Sequence, residues 1–430
     1  MIMKNKCLII AIFLIIAAFA PLSAQDAIDD TILTLEKCKE LTLKNNPRIA
    51  ASISGASAQR NRLSQTKAAY MPQIGASAGY SRSANQSALV NGDWLSASDN
   101  YNSSISASQL IYDFGKTGLT SDIQKNTYYA SLQDSESVMN DTIFQLTQVY
   151  IAVLASREQR DVFIQSVERY EEQLKRAQAF YNVGSRPRID VTTAQVDLNN
   201  AKLNLIQAEN TLKIARQRLL NIMGVYDRPA DFELQKQMNL ERYDIELEQA
   251  LKQAFESRPD LASSKLRLES ARQNVKLSQT GFTPELNANG SYGWTGNDFP
   301  LYDRWSFGAS VSLPIFNGFS TVNKVKENKN NLNTAYYNLT DAQQSALLDV
   351  RTSYYKLQDA DSRIPVAELS KQAAEESFKL AVGRYTVGVG NYIEVKDAEV
   401  SLSSARLNYI SAVYDYNLAI ADLKRAMGSR

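Results

Sequence analysis

Four short stretches of the chain alternate apolar and polar residues, while most of the remainder follows helical spacings. Leu286, Ala288, Gly290, Tyr292 and Trp294 alternate with Asn287, Asn289, Ser291 and Gly293. Trp305, Phe307, Ala309, Val311 and Leu313 alternate with Ser306, Gly308 and Ser310. A period of two predicts strands over about 285–294 and 305–314. Gly296, Asn297, Asp298 and Pro300 supply turn residues, so the pair reads as a hairpin with one apolar and one polar face. A weaker hairpin precedes it, over about 73–82 and 101–112. Ile74, Ala76, Ala78 and Tyr80 alternate with Gly75, Ser77 and Gly79, and Ile105 and Ala107 share a face of the returning strand. Each strand has about ten residues, the length of a tilted transmembrane strand. Tyr80, Tyr101, Tyr292, Trp294, Trp305 and Phe307 gather toward the loop ends, as an interfacial aromatic girdle does. The alternation fits the half-buried sheet of a soluble domain equally well. In lipid, four strands cannot close, because single-chain barrels begin at about eight and an open edge leaves backbone groups unsatisfied. Membrane-spanning strands here therefore require a barrel shared between chains.

Two long polar-rich segments follow the hairpins, Lys116 to about Phe180 and Ser320 to about Arg384, with few helix breakers. Roughly 65 residues at 1.5 Å each give a helix of about 100 Å. Pro365 lacks a backbone donor and is expected to kink the second helix near Ile364; its counterpart in the first is Asp161. The returning helices carry heptads. Val191, Ala194, Leu198, Ala201, Leu205, Ala208, Leu212, Ala215, Leu219 and Ile222 are spaced three and four in alternation. Val395, Ala398, Leu402, Ala405, Tyr409, Ala412, Tyr416, Ala419, Leu423 and Ala426 repeat the pattern. Sustained 3.5-residue spacing means coiled-coil packing, and alanine at every other seam position permits close antiparallel pairs. On the heptads alone, a soluble coiled coil or four-helix bundle fits as well.

The chain is internally duplicated. Leu35-Glu36, Asn46-Pro47 and Tyr70-Met71-Pro72 recur 212 residues later as Leu247-Glu248, Arg258-Pro259 and Phe282-Thr283-Pro284. After the hairpins the offset becomes 204: Tyr181-Asn182-Val183-Gly184 aligns with Tyr385-Thr386-Val387-Gly388, and Met223-Gly224 with Met427-Gly428. The first hairpin is thus eight residues longer, in a presumed external loop. The predicted organisation is a first repeat over 25–224, a joint over 225–246 and a second repeat over 247–428. Each repeat runs helix, hairpin, long helix, turn, helix.

Residues 1–24 read as a targeting segment: Lys4 and Lys6, an apolar run from Leu8 to Ala20, and a small-residue cleavage site at Leu22-Ser23-Ala24 before Gln25. Cys7 precedes the apolar run, so it cannot be the acylated cysteine of a lipoprotein. Losing Lys4 and Lys6 turns 47 basic against 46 acidic residues into 45 against 46, a net charge of −1 with no basic excess for nucleic acid. Only Cys38 remains, which excludes an intrachain disulfide. With no histidine, the Ser-His-Asp triad, the Cys-His pair and the common zinc sites are absent by inventory. No cofactor is expected, and no enzymatic role.

The doubled layout, Pro72 and Pro284 at strand entry, Leu313-Pro314-Ile315-Phe316-Asn317-Gly318 at strand exit, and Tyr385-Thr386-Val387-Gly388 followed by Glu394-Val395 and Asp397-Ala398 resemble the TolC-like outer membrane efflux proteins. The resemblance implies a mostly helical fold with a transmembrane β-barrel: a homotrimer whose twelve strands, four per chain, form one barrel above a tunnel of twelve helices. It implies an exit duct of an efflux pump or type I secretion system in the outer membrane lipid, working with a periplasmic adaptor and an inner-membrane pump. In this family the two turns form the periplasmic tip, so Gly184, Gly388, Arg186 and Arg188 fall where the adaptor docks. Glu394 and Asp397 fall at the carboxylate rings that constrict the pore, and Asp190 and Tyr385 where neighbouring coils are linked in the closed state. Some members carry arginine where Gly390 stands, so that network is rewired or weaker here. Read from the residues alone, an exported structural coiled-coil protein of the periplasm or cell surface is the alternative.

Overall fold

The computed structural model describes residues 32–83, 98–225, 232–235 and 242–429. The targeting segment, the loop with the eight-residue difference and most of the joint lie outside these residues. In chain order the elements are β1 (Ile32–Leu33), α1 (Leu35–Asn45), α2 (Pro47–Lys67), β2 (Gln73–Ser83), β3 (Ser98–Tyr112), α3 (Lys116–Asn182) and α4 (Arg188–Ile222). There follow β4 (Glu233–Leu234), α5 (Leu247–Ser257), α6 (Pro259–Gln279), β5 (Glu285–Gly296), β6 (Tyr302–Ser312), α7 (Ser320–Thr386) and α8 (Tyr392–Ala426). The bounds of α1 and α2 reappear in α5 and α6 displaced by 212 residues, and those of α3 and α4 in α7 and α8 displaced by 204.

Local chemistry fixes the joints between elements. Asn46 ends α1 and caps α2, its side-chain oxygen accepting from the Arg48 and Ile49 N–H groups, with Pro47 at the first helical position. The strand-to-helix step at Phe114-Gly115 takes two consecutive left-handed residues, φ 54° and 87°. Asp113 holds it by accepting from the N–H groups of Gly115 (3.1 Å) and Thr117 (2.6 Å). Pro365 lies inside α7 and does not end it. The proline is on an exposed face, and the buried Leu357 and Ala360 one to two turns earlier keep the helix on its neighbours.

The helices form a layer of four columns. The Asn46 amide donates to the Ile222 carbonyl (2.8 Å), stacking α4 under α2. Arg258 donates to the Ala426 carbonyl (3.2 Å), stacking α8 under α6. Column α2/α4 packs on α3, α3 packs on column α6/α8, and that column packs on α7. The heptad positions Ala194, Leu198, Ala201, Leu212, Ala215 and Leu219 are buried along α4. So are Val395, Ala398, Leu402, Ala412, Tyr416 and Leu423 along α8. The 67-residue α3 and α7 are each about 100 Å long. The sheet is antiparallel in the order β2-β3-β5-β6, open at both ends. Its order matches the helical layer: β2 follows α2, β3 enters α3, β5 follows α6 and β6 enters α7. Among the described residues no helix is long and apolar enough to cross a membrane.

Candidate functional site

At the far end of the helices, two turns of the same design lie side by side. In the first, Gly184 at φ 73° sends its N–H to the Tyr181 carbonyl (2.9 Å), and Ser185 sends its own to Phe180 (2.9 Å). In the second, Gly388 at φ 86° donates to Tyr385 (3.2 Å) and Val389 to Arg384 (3.0 Å). Each is a Schellman stop, in which the left-handed glycine turns the last carbonyls of the helix onto the following N–H groups. The restarts differ. Asn391 caps α8 by accepting from the Glu394 N–H (2.9 Å), whereas α4 starts on Pro187 with no side-chain cap.

One cation joins the turns. Arg186 Nη2 donates to the Gly390 carbonyl (2.6 Å), and its guanidinium lies 5.3 Å from the ring centre of Tyr385. Tyr385 is fully buried, edge-on to Phe180 at 5.6 Å and Tyr392 at 6.1 Å. Among the described residues its hydroxyl has no hydrogen-bond partner. Arg186 lies over the ring and connects the two turns. Burial and then the Asp190 carboxylate push the Tyr385 hydroxyl above its ordinary pKa, with Arg186 opposing. Arg186 stands at the repeat position of Gly390. A Cβ at Gly390 would lie 3.1 Å from Arg384 Cβ, Glu394 Oε2 and the Tyr385 nitrogen, so one turn supplies the cation and the other the room for it.

Glu394 is partly exposed, with Oε2 3.3 Å from Arg384 Nε, and Asp397 is exposed. Together with Glu376 they line an open groove between α7 and α8, three carboxylates against the single guanidinium of Arg384. Such a groove can attract cations and repel anions. Gly184, Gly388 and Arg188 are exposed at the tip, whereas Arg186 is turned toward the adjacent turn. Above the tip are charges that sequence reasoning missed. Asp197 of α4 accepts from the Tyr392 hydroxyl (3.1 Å) and pairs with Lys396 (2.9 Å). Glu399 of α8 pairs with Arg169 (2.6 Å) and accepts from Ser166 (3.0 Å), both on α3. Burial, followed by Asp197, raises the Tyr392 pKa. Removing one member would strand a buried charge. The available signal was an acid directly beside a seam residue, Asp197 at Leu198 and Glu399 at Ala398.

At the sheet, register brings Tyr80 opposite Tyr101, Tyr292 opposite Trp305 and Gly290 opposite Phe307, all on one face with Ile74, Ile105 and Val311. This face is exposed: Trp305 retains 73% and Phe307 79% of its surface. A second exposed aromatic set, unremarked in the sequence, sits where the strands meet the helices: Tyr112 with Phe114 at 4.7 Å and Phe316 with Phe319 at 5.5 Å. The opposite face carries hydroxyl ladders, Ser77 with Ser104 (3.0 Å) and Ser291 with Ser306 (2.8 Å).

The profile of the family described as Outer membrane efflux protein matches residues 39–225 and 250–429, one segment in each repeat. The chain is 22% identical to the Outer membrane protein TolC of Vibrio cholerae over 90% of its own length and 88% of that protein. It is 24% identical to the Alkaline protease secretion protein AprF of Pseudomonas aeruginosa, over 78% of this chain and 72% of that one. The crystal structure of the Campylobacter jejuni CmeC outer membrane channel superposes with a TM-score of 0.82 at 21% identity, covering 92% of this chain and 85% of that one. With both repeats matched, the chain belongs to the outer membrane efflux protein family.

Proposed function

We propose that three copies of the chain close into one conduit, twelve strands forming a barrel in the outer membrane and twelve helical columns a tunnel across the periplasm, through which an inner-membrane pump and its adaptor export their substrates. The observation that carries this is a shared pair of open edges. Sheet and helical layer stop on the same two sides, β2 above α2/α4 and β6 above α7. An unpaired strand edge in hydrocarbon is untenable, so β6 of one copy meets β2 of the next. The helical edges carry matching apolar stripes. On α7, Tyr337, Leu348, Tyr355, Val366 and Leu380 are exposed, and on α4, Ile189, Val196, Leu203 and Ile214. Steps of 7 and 11 return to one face of a helix, and that face points away from the buried seam. Exposed stripes of this length mark an interface.

The strand dimensions suit lipid. Eleven residues at about 3.4 Å, tilted about 40°, span roughly 28 Å, near the height of an outer-membrane apolar band. The two aromatic sets sit at the ends of that span, where girdles belong. The rival reading, an exported structural coiled coil with a wet sheet, leaves the exposed Trp305, Phe307 and Val311 face unexplained. At the tip, three-fold rings of Glu394 and Asp397 form the constriction, and the exposed ends of both turns receive the adaptor.

Detergent-solubilised protein is expected to sediment as a trimer and to open channels in planar bilayers; a stable, non-conducting monomer would overturn the shared barrel. In the same bilayers, Glu394→Ala with Asp397→Ala should raise the closed conductance and weaken block by divalent cations. Unchanged traces would remove those two residues from the gate.

A further inference from the structure

We propose that a collar of lysines just below the barrel binds the anionic phosphate headgroups of phospholipids in the periplasmic leaflet. This rests on the barrel reading above and assigns the helical surface next to the membrane a partner of its own.

On the strand-proximal turns of α3, α6 and α7, the cations divide by side. Lys116 pairs with Glu285, whose strand position shares the polar face of Asn287 and Asn289. Lys324 pairs with Glu327 (3.0 Å) and lines the same groove as Lys116, Thr120 and Ser278. That groove therefore lies on the polar, lumen side, and its lysines are neutralised. At about 100° per residue, Lys125 is half a turn round α3 from Lys116. Lys326 and Lys329 stand two and five residues beyond Lys324, and Lys276 two before Ser278, which places each roughly 140–200° from the groove. These four lysines are exposed, and among the described residues none has an ion-pair partner. Against them on that side stand Asp122, also exposed, and the pair Arg272–Glu269 (2.9 Å), which cancels itself. The outward collar thus keeps a net charge of about three per chain, or nine around a trimer.

Its height fits headgroups. Lys276 lies about 5 Å from the strand end of α6, Lys326 about 9 Å from that of α7, and Lys125 and Lys329 about 14 Å along their helices. The exposed aromatic junction at Phe114, Phe316 and Phe319 is directly above. Apolar anchors followed by unpaired cations are the arrangement that an anionic lipid surface attracts, at about a fivefold gain per lysine held close to it.

The test uses the full-length protein reconstituted in phosphatidylcholine vesicles with trace spin-labelled phosphatidylglycerol or phosphatidylcholine. The motionally restricted fraction should favour the phosphatidylglycerol label several-fold. Raised salt should remove the preference, and so should the combined variant Lys125→Gln, Lys276→Gln, Lys326→Gln, Lys329→Gln. Lys116→Gln with Lys324→Gln should leave it intact. Equal restriction of both labels, or a preference that survives the four-fold variant, overturns the collar. A trimer that inserts and conducts without any headgroup preference overturns the collar alone, whereas failure to insert in either lipid sinks the barrel reading with it.

Discussion

The two turns at the tip have the same backbone and opposite interiors. Tyr181 and Tyr385 occupy one repeat position, yet Tyr181 is 43% exposed and Tyr385 is fully buried. Arg186 and Gly390 occupy another, and there the arginine reaches across to the glycine carbonyl. Duplication therefore preserved the left-handed glycine stop, which backbone geometry demands, and released the side chains around it. The first turn supplies a cation and the second a pocket. A tip built this way is asymmetric inside each chain, although its scaffold is repeated.

Truncating the two tyrosines separates the turns most strongly. Tyr385→Ala should loosen the tip by about 3–5 kcal/mol, the usual cost of removing a buried aromatic ring. Tyr181→Ala should cost under about 0.5 kcal/mol. Hydrogen exchange of the amides flanking both turns reads the difference, and equal protection loss in the two variants would erase the asymmetry. Tyr385→Phe sharpens the point: its hydroxyl is buried without a partner, so the phenylalanine variant should match or exceed the parent in protection.

Arg186→Ala comes next. A hydrogen bond from a charged donor contributes about 1.5–3 kcal/mol, and the contact with the Tyr385 ring about 0.5–1. Its loss should raise the open fraction in single-channel recordings about tenfold or more. Arg188→Ala, two residues on and exposed, should leave that fraction unchanged. If both arginines behave alike, the bond between the turns is not what holds the pore shut.

Periodicity carried most of the architecture. The seams through Leu198, Leu212, Leu402 and Leu423 were legible because a heptad is a local pattern, and they are buried as the spacing requires. The strands were legible for the same reason, with register pairing Tyr292 and Trp305. What local patterns cannot carry is a partner far along the chain. Arg186 and Gly390 are 204 residues apart, Arg169 and Glu399 230. The order of columns also needed contacts, since α3 lies between its own hairpin partner α4 and the second repeat's α8. Pro365 shows how far a local rule reaches: it removes one backbone donor, yet α7 continues through it over 67 residues.

The smallest contrast lies in how the helices restart. Asn391 accepts from the Glu394 N–H, whereas Pro187 offers no side-chain acceptor and only a fixed φ for the first turn of α4. Asn391→Ala should cost about 1 kcal/mol. The loss is local, because it leaves the Glu394 N–H without its acceptor and lets that first turn fray, carrying the Glu394 carboxylate away from Arg384. Asn391→Asp restores the acceptor and adds a charge that the helix N-terminus favours, so it should recover the parent. If conductance in Asn391→Ala stays at the parent level while its first-turn amides exchange faster, the position of Glu394 does not depend on the cap, and Arg384 alone holds that carboxylate in place.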